Sequence, residues 1–141
     1  MHVKILFPFT NSSGDTEIES MWAVKRDDGY EIDNIPFYVK SLAWGDVVSA
    51  RADADGAWVY EALVRPSGHS TIHLLFEREG DVPRVRDELT GLGCSSEVSN
   101  LPSLIAVDVP PAIPYEGIKR YLEQGEAAGT FEYQEACLGF L

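Results

Sequence analysis

The chain has 141 residues, 45% hydrophobic and 24% charged, which gives room for one domain or two small ones and excludes long disorder. Twenty-three acids face eleven bases for a net charge of −12, and the excess is spread: eleven acids against six bases in residues 1–66, twelve against five in 67–141. Such a field repels nucleic acid and anionic membranes and speeds encounter with a basic partner.

From the N-terminus, Val3–Phe9 predicts a first strand, with Pro8 at its end or on an edge. The opening MHVKILFPFT lacks the small-residue cleavage site of a signal peptide, and no run approaches the roughly 18 apolar residues of a membrane span, so a cytoplasmic protein is expected. Asn11–Asp15 is a loop. Glu17–Lys25 alternates as a second strand, with Ile18, Ser20, Trp22 and Val24 on one face. Asp27-Asp28-Gly29 predicts a tight hairpin into Tyr30–Ile35, which Pro36 ends. Phe37–Trp44 predicts a turn or two of helix stopped by Gly45. Asp46–Ala52 and Ala57–Arg65 form a further hairpin through Asp53-Ala-Asp55-Gly56, the second strand with Trp58, Tyr60, Ala62 and Val64 on one face. About five short strands in hairpins predict a small β-barrel or bent antiparallel sheet over residues 1–66, with the three tryptophans supplying much of its core.

Pro66-Ser67-Gly68 marks a boundary, and 67–141 reads differently. Thr71–Glu77 is a strand. Asp81 caps a helix with Val82, Val85, Leu89 and Leu92 on one stripe, ended by Gly91 and Gly93. Cys94–Ser99 and Leu104–Val109 are strands. Pro114 opens a second helix with Tyr115, Ile118 and Leu122 inward and Gly125 as its stop, and Thr130–Cys137 is the last strand. The order β-α-β-β-α-β is that of a ferredoxin-like half. The expected class is therefore α+β, with the two halves closely packed because neither is long enough to be comfortable alone.

The runs Asp33-Asn-Ile-Pro-Phe-Tyr-Val39 and Leu42-Ala-Trp-Gly-Asp-Val-Val48 resemble domain-of-unknown-function family 4265, a family of small bacterial proteins. The resemblance extends through Leu63–Ser70 and Tyr115–Phe131 and so covers most of the chain. It implies no activity, cofactor or catalytic residue. Within these runs Asp33 and Pro36 turn a corner, Phe37 and Trp44 read as core anchors alongside Trp22 and Trp58, and Gly45-Asp46 releases the next strand.

Chemical motifs are sparse. His69 and His73 lie four apart, but on a strand that spacing spans roughly 13 Å, too far for one ion. Neither Ser67 nor Ser70 sits in the Gly-x-Ser-x-Gly elbow that would make it a nucleophile for these histidines. No phosphate-binding glycine loop is present, since Gly91-Leu-Gly93 ends a helix. Asp53-Ala-Asp55-Gly56 has the opening of a calcium loop without its later ligands. Phe131 and Tyr133 with His73 and Leu75 have the aromatic content of an RNA-binding face, but the last strand carries acids where such strands carry Lys or Arg, which argues against RNA. Cys94 and Cys137 are too few and too far apart for a zinc ribbon and read as buried thiols.

No cofactor or metal is expected. The acids at turns and helix ends, Asp27, Asp28, Asp53, Asp55, Glu123 and Glu126, are the candidate partner-binding residues. The leading expectation is a non-enzymatic module that binds a basic protein, in the manner of an immunity protein or antitoxin occluding a toxin. A small-molecule-binding domain using the cleft between the halves is the alternative, and an enzyme without a recognisable motif the third.

Overall fold

The computed structural model describes residues 1–141. Strands β1 (His2–Thr10), β2 (Thr16–Arg26), β3 (Gly29–Ile32), β4 (Val47–Ala52) and β5 (Trp58–Arg65) follow one another as antiparallel neighbours. The barrel closes where β5 runs parallel to β1 over two residue pairs, Ile5 with Trp58 and Leu6 with Val59. Pro8 is tolerated inside β1 because it lies past this seam.

A second sheet is built from β6 (Ser70–Phe76), β7 (Ser95–Val98), β8 (Leu104–Val109) and β9 (Phe131–Cys137), in the order β7-β8-β6-β9 and antiparallel throughout. Helix α1 (Val82–Gly91) follows β6 through a single 3-10 turn, and α2 (Tyr115–Ala127) follows β8. The molecule is α+β. No helix is long and apolar enough to cross a membrane.

The second sheet has two unlike faces. On one, Ile72, Leu74, Phe76, Ile105, Val107 and Phe131 pack with Val85 and Leu89 of α1 and Ile118 and Leu122 of α2 into a core. The other face carries Thr71, His73 and Asp108, all buried and polar. Burying such groups is costly unless each finds a partner, and every sealed side-chain nitrogen or oxygen in the protein has one. The partners come largely from the β3–β4 connector, residues 33–46, which lies across this face. Thr71 Oγ1 donates to Leu42 O at 3.1 Å, His73 Nε2 to Pro36 O at 2.7 Å, and Ser41 N to Ala136 O at 2.9 Å.

The connector corrects the expected helix over 37–44. Its amides are taken by tertiary acceptors, so the i→i−4 ladder cannot form. The Glu19 carboxylate, on the buried face of β2, accepts the amides of Phe37, Tyr38 and Val39 at 2.8, 3.0 and 3.0 Å. Asp46, 3% exposed, does the same for Ala43 and Ser67 at 3.0 and 2.8 Å, with Gly45 at φ +85° completing the turn.

The tryptophan core is also corrected. Trp22, Trp44 and Trp58 are 43%, 37% and 36% exposed. The barrel interior is filled by Ile5, Phe7, Met21, Ala23, Ile32, Val39, Leu42 and Val48. In β2 the buried face is Glu19, Met21 and Ala23, opposite to the face carrying Ile18 and Trp22. Phe37 is half-buried and Pro36 is buried. Asp33 is exposed at the corner, accepting from Trp44 Nε1 at 3.2 Å and pairing with His2 at 2.8 Å.

Two helix boundaries also differ from expectation. Leu92 falls outside α1 and is 43% exposed. Helix α2 runs through Gly125 to Ala127, and a Cβ at Gly125 would run into the Phe131 ring, so this glycine admits an aromatic instead of ending the helix.

Candidate recognition groove at the barrel–sheet junction

Because the connector covers only part of the polar sheet face, a groove of about 660 Å³ remains between barrel and sheet. The barrel supplies Phe9 through Ser12 and Glu17 from the β1–β2 hairpin, and the connector supplies Phe37, Tyr38 and Lys40. The floor is His73 and Leu75 of β6, Leu104 of β8, and Glu132 and Gln134 of β9. Register brings these floor residues together, since His73 lies opposite Gln134 and Leu75 opposite both Glu132 and Leu104. The Phe9 and Tyr38 rings stack at 5.6 Å and 7°, and Tyr38 Oη donates to Asn100 at 2.7 Å, which pins this wall to the second sheet.

His73 is the most constrained polar group in the groove. It is 7% exposed, and because Pro36 O can only accept, Nε2 carries the proton. Burial lowers its pKa from the ordinary 6.5, against weaker opposing effects of the Pro36 bond and of Glu19, with Lys40 adding to the lowering. The ring is thus neutral at pH 7, and the Nε2 bond to Pro36 is its one side-chain hydrogen bond within the protein, leaving the Nδ1 lone pair available.

His69 lies in a different cavity of about 430 Å³, lined also by Asp33, Ile35, Trp44, Ser95, Glu97, Asp108 and Pro110 and sharing no residue with the groove. Its Nδ1 is 2.9 and 3.0 Å from the two Asp108 oxygens, and Trp44 packs edge-on to it at 5.0 Å. Burial raises the Asp108 pKa, with the His69 pairing pulling the other way. No serine completes a triad: Ser67 Oγ donates to Trp44 O at 2.8 Å and Ser70 Oγ accepts from Gly139 N at 3.0 Å. Nor do His69 and His73 share a ligand position. Both cysteines are free; burial pushes Cys94 up to about 11 and raises Cys137, so both thiols stay protonated at neutral pH.

The six candidate acids are placed in three separate regions. Asp27 and Asp28 occupy the β2–β3 turn, where Arg65 pairs with Asp28 at 3.1 Å and lowers its pKa through that bond. Asp53 and Asp55 occupy the β4–β5 turn, where the Asp53 side chain accepts the amides of Asp55 and Ala57 and so builds the turn itself. Glu123 and Glu126 lie at the end of α2, on the helical layer of the other half, and Glu126 accepts from Tyr133 N. The acids that face the groove, Glu17 and Glu132, were not singled out by sequence. The alternation of the last strand sends the Phe131 and Tyr133 side chains to the helix-side core, although Tyr133 also borders the groove, and Glu132 and Gln134 to the groove side; that alternation combined with strand order is the signal for them.

Comparison with known proteins places these features in a family. The model of a family described as "Domain of unknown function (DUF4265)" matches residues 19–133, from the buried Glu19 to Tyr133, and the chain belongs to that family. Among solved structures, one titled "Novel crystal structure of a hypothetical protein from Neisseria gonorrhoeae" is similar at 23% identity and a TM-score of 0.83, covering 100% of this chain and 98% of that one, which establishes a shared fold. No curated protein matches the sequence.

Proposed function

We propose that this DUF4265 member is a non-enzymatic, acidic protein-binding module that docks a basic partner and occludes it, as an immunity or antitoxin-type protein neutralises a toxin. The observation that carries the reading is how charge is spent. Arg26, Arg65, Arg78, Arg84 and Lys119 are each paired with the protein's own carboxylates. Exposed acids that make no ion pair, Glu17, Asp27, Asp55, Glu77, Glu123 and Glu132 among them, outnumber the exposed bases that make none (Lys4, Lys25, Lys40, Arg51 and Arg120), leaving the outward field negative. Such a surface steers a basic partner and suppresses acidic ones. The reading goes with a cytoplasmic protein and with two halves, 1–66 and 67–141, the second ferredoxin-like; its β-α-β-β-α-β order and the strand order β7-β8-β6-β9 support that.

The test is retention of host-lysate proteins on the immobilised protein at low salt, elution by salt, and co-expression of the retained protein with this one. The expected result is a basic protein whose toxicity to the host is suppressed by co-expression. Retention of no basic protein, or of one whose effect is unchanged by co-expression, overturns the proposal.

A second reading, a small-molecule-binding regulatory domain, is favoured by the volume of the groove, which lies within the roughly 300–1,000 Å³ typical of ligand sites. It predicts that a metabolite raises the melting temperature with increasing concentration. A flat response across a broad metabolite library opposes it.

A further inference from the structure

We infer that the groove receives an arginine side chain of the basic partner, its guanidinium donating to His73 Nδ1 and pairing with Glu17 and Glu132 against the aromatic wall. This deepens the reading above and rests on it.

The lining is rich in acceptors and flat surfaces. The His73 ring lines the groove and is held in place by the Nε2 bond to Pro36, which is its one side-chain hydrogen bond within the protein and leaves the Nδ1 lone pair available. Every sealed side-chain nitrogen and oxygen in the protein is already paired, so Nδ1 is an open acceptor, fixed in direction and free to take a ligand N–H. Glu17 and Glu132 supply two exposed carboxylates, and Gln134 a further amide oxygen. The parallel Phe9 and Tyr38 rings, with Phe37 beside them, offer surface on which a planar cation stacks. Lys40 is the one basic residue in the lining; it is exposed and outnumbered by the carboxylates.

Several acceptors spread over one groove, with aromatic faces between them, match the planar fork of a guanidinium and its five N–H donors. A lysine ammonium, a compact point charge, satisfies the carboxylates but not the stacking surface or the separated acceptors. The groove should therefore discriminate arginine from lysine, which net charge alone does not.

The test compares a short arginine-rich peptide with its lysine-for-arginine twin by calorimetry at equal ionic strength, alongside the nitrogen chemical shifts of His73. Expected is about tenfold tighter binding of the arginine peptide, a saturable shift of His73 Nδ1 with that peptide, and loss of the preference in His73→Gln. Glutamine keeps an N–H for Pro36 while removing the acceptor at Nδ1, and the shift measurement on the unmodified protein stands even where the variant folds poorly. Glu132→Gln should weaken both peptides. Equal affinity for the two peptides, or an arginine preference that survives in His73→Gln with an unmoved Nδ1, overturns the arginine site while leaving acidic docking intact. Binding of neither peptide overturns the site and removes the electrostatic basis of the docking proposal with it.

Discussion

Two buried ionisable side chains hold the junction, and each has a measurable consequence. Glu19 carries three connector amides on one carboxylate at 8% exposure. Glu19→Ala strands all three, and should cost about 4 kcal/mol in urea denaturation; a loss within a few tenths would show that the connector finds water or other acceptors at little cost. For His73 the sign follows from its lowered pKa. Below about pH 6.5 the unfolded chain takes up a proton that the folded ring refuses, so stability present above that value is lost as pH falls toward the folded pKa. Denaturation midpoints followed from pH 7.5 down to pH 5 should decline, and His73→Gln should decline less steeply over the same range. At this scale the sequence was only partly legible. His73 stood out as a residue type, but its role depends on Pro36, thirty-seven positions away. Glu19 is hidden in the sequence because Trp22 marks the opposite face of β2 as the apolar one, whereas in this barrel the large aromatic lies on the exterior.

Among the elements, the helix α2 glycines separate backbone propensity from packing. At Gly117 a Cβ would meet only Arg120 Nη2 at 4.0 Å, so Gly117→Ala should stabilise by up to about 1 kcal/mol. Gly125→Ala makes the same backbone gain but drives a methyl into Phe131, and a net loss of about 2 kcal/mol is expected in the same thermal or urea assay. If both stabilise, Phe131 has room to move and the close packing is not a constraint. Order and kind of elements were readable because hairpin turns such as Asp27-Asp28 and the apolar stripe Val82, Val85, Leu89 are local signals. The connector was not, because its helical tendency is overridden by acceptors from β2 and β9 that no local window contains.

For the molecule as a whole, the distribution of chromophores provides a test of unity. All three tryptophans lie in residues 1–66, and both helices in 67–141. Tryptophan fluorescence therefore reports the barrel half, and far-ultraviolet dichroism at the helical minimum reports the other. The connector satisfies the polar face of the second sheet and borrows its amide partners from the first, so neither half keeps its buried polar groups paired alone. The two signals should share one urea midpoint; separated midpoints would show that the halves unfold independently. The groove lies on the same junction, so its geometry is legible only once both halves are assembled, and that assembly disperses the six acids of the turns and helix end.

The barrel is fastened unevenly: β1 runs alongside β2 for nine residue pairs but meets β5 for two. Fluctuations that part only the seam break few bonds, whereas freeing β1 from β2 dismantles the interior. In heavy water, amides that bridge β1 and β5 should acquire deuterium well before those that bridge β1 and β2, with the rest of the fold intact. Residue-resolved exchange with a single common lifetime across β1 would mean that the short seam opens only with the whole barrel.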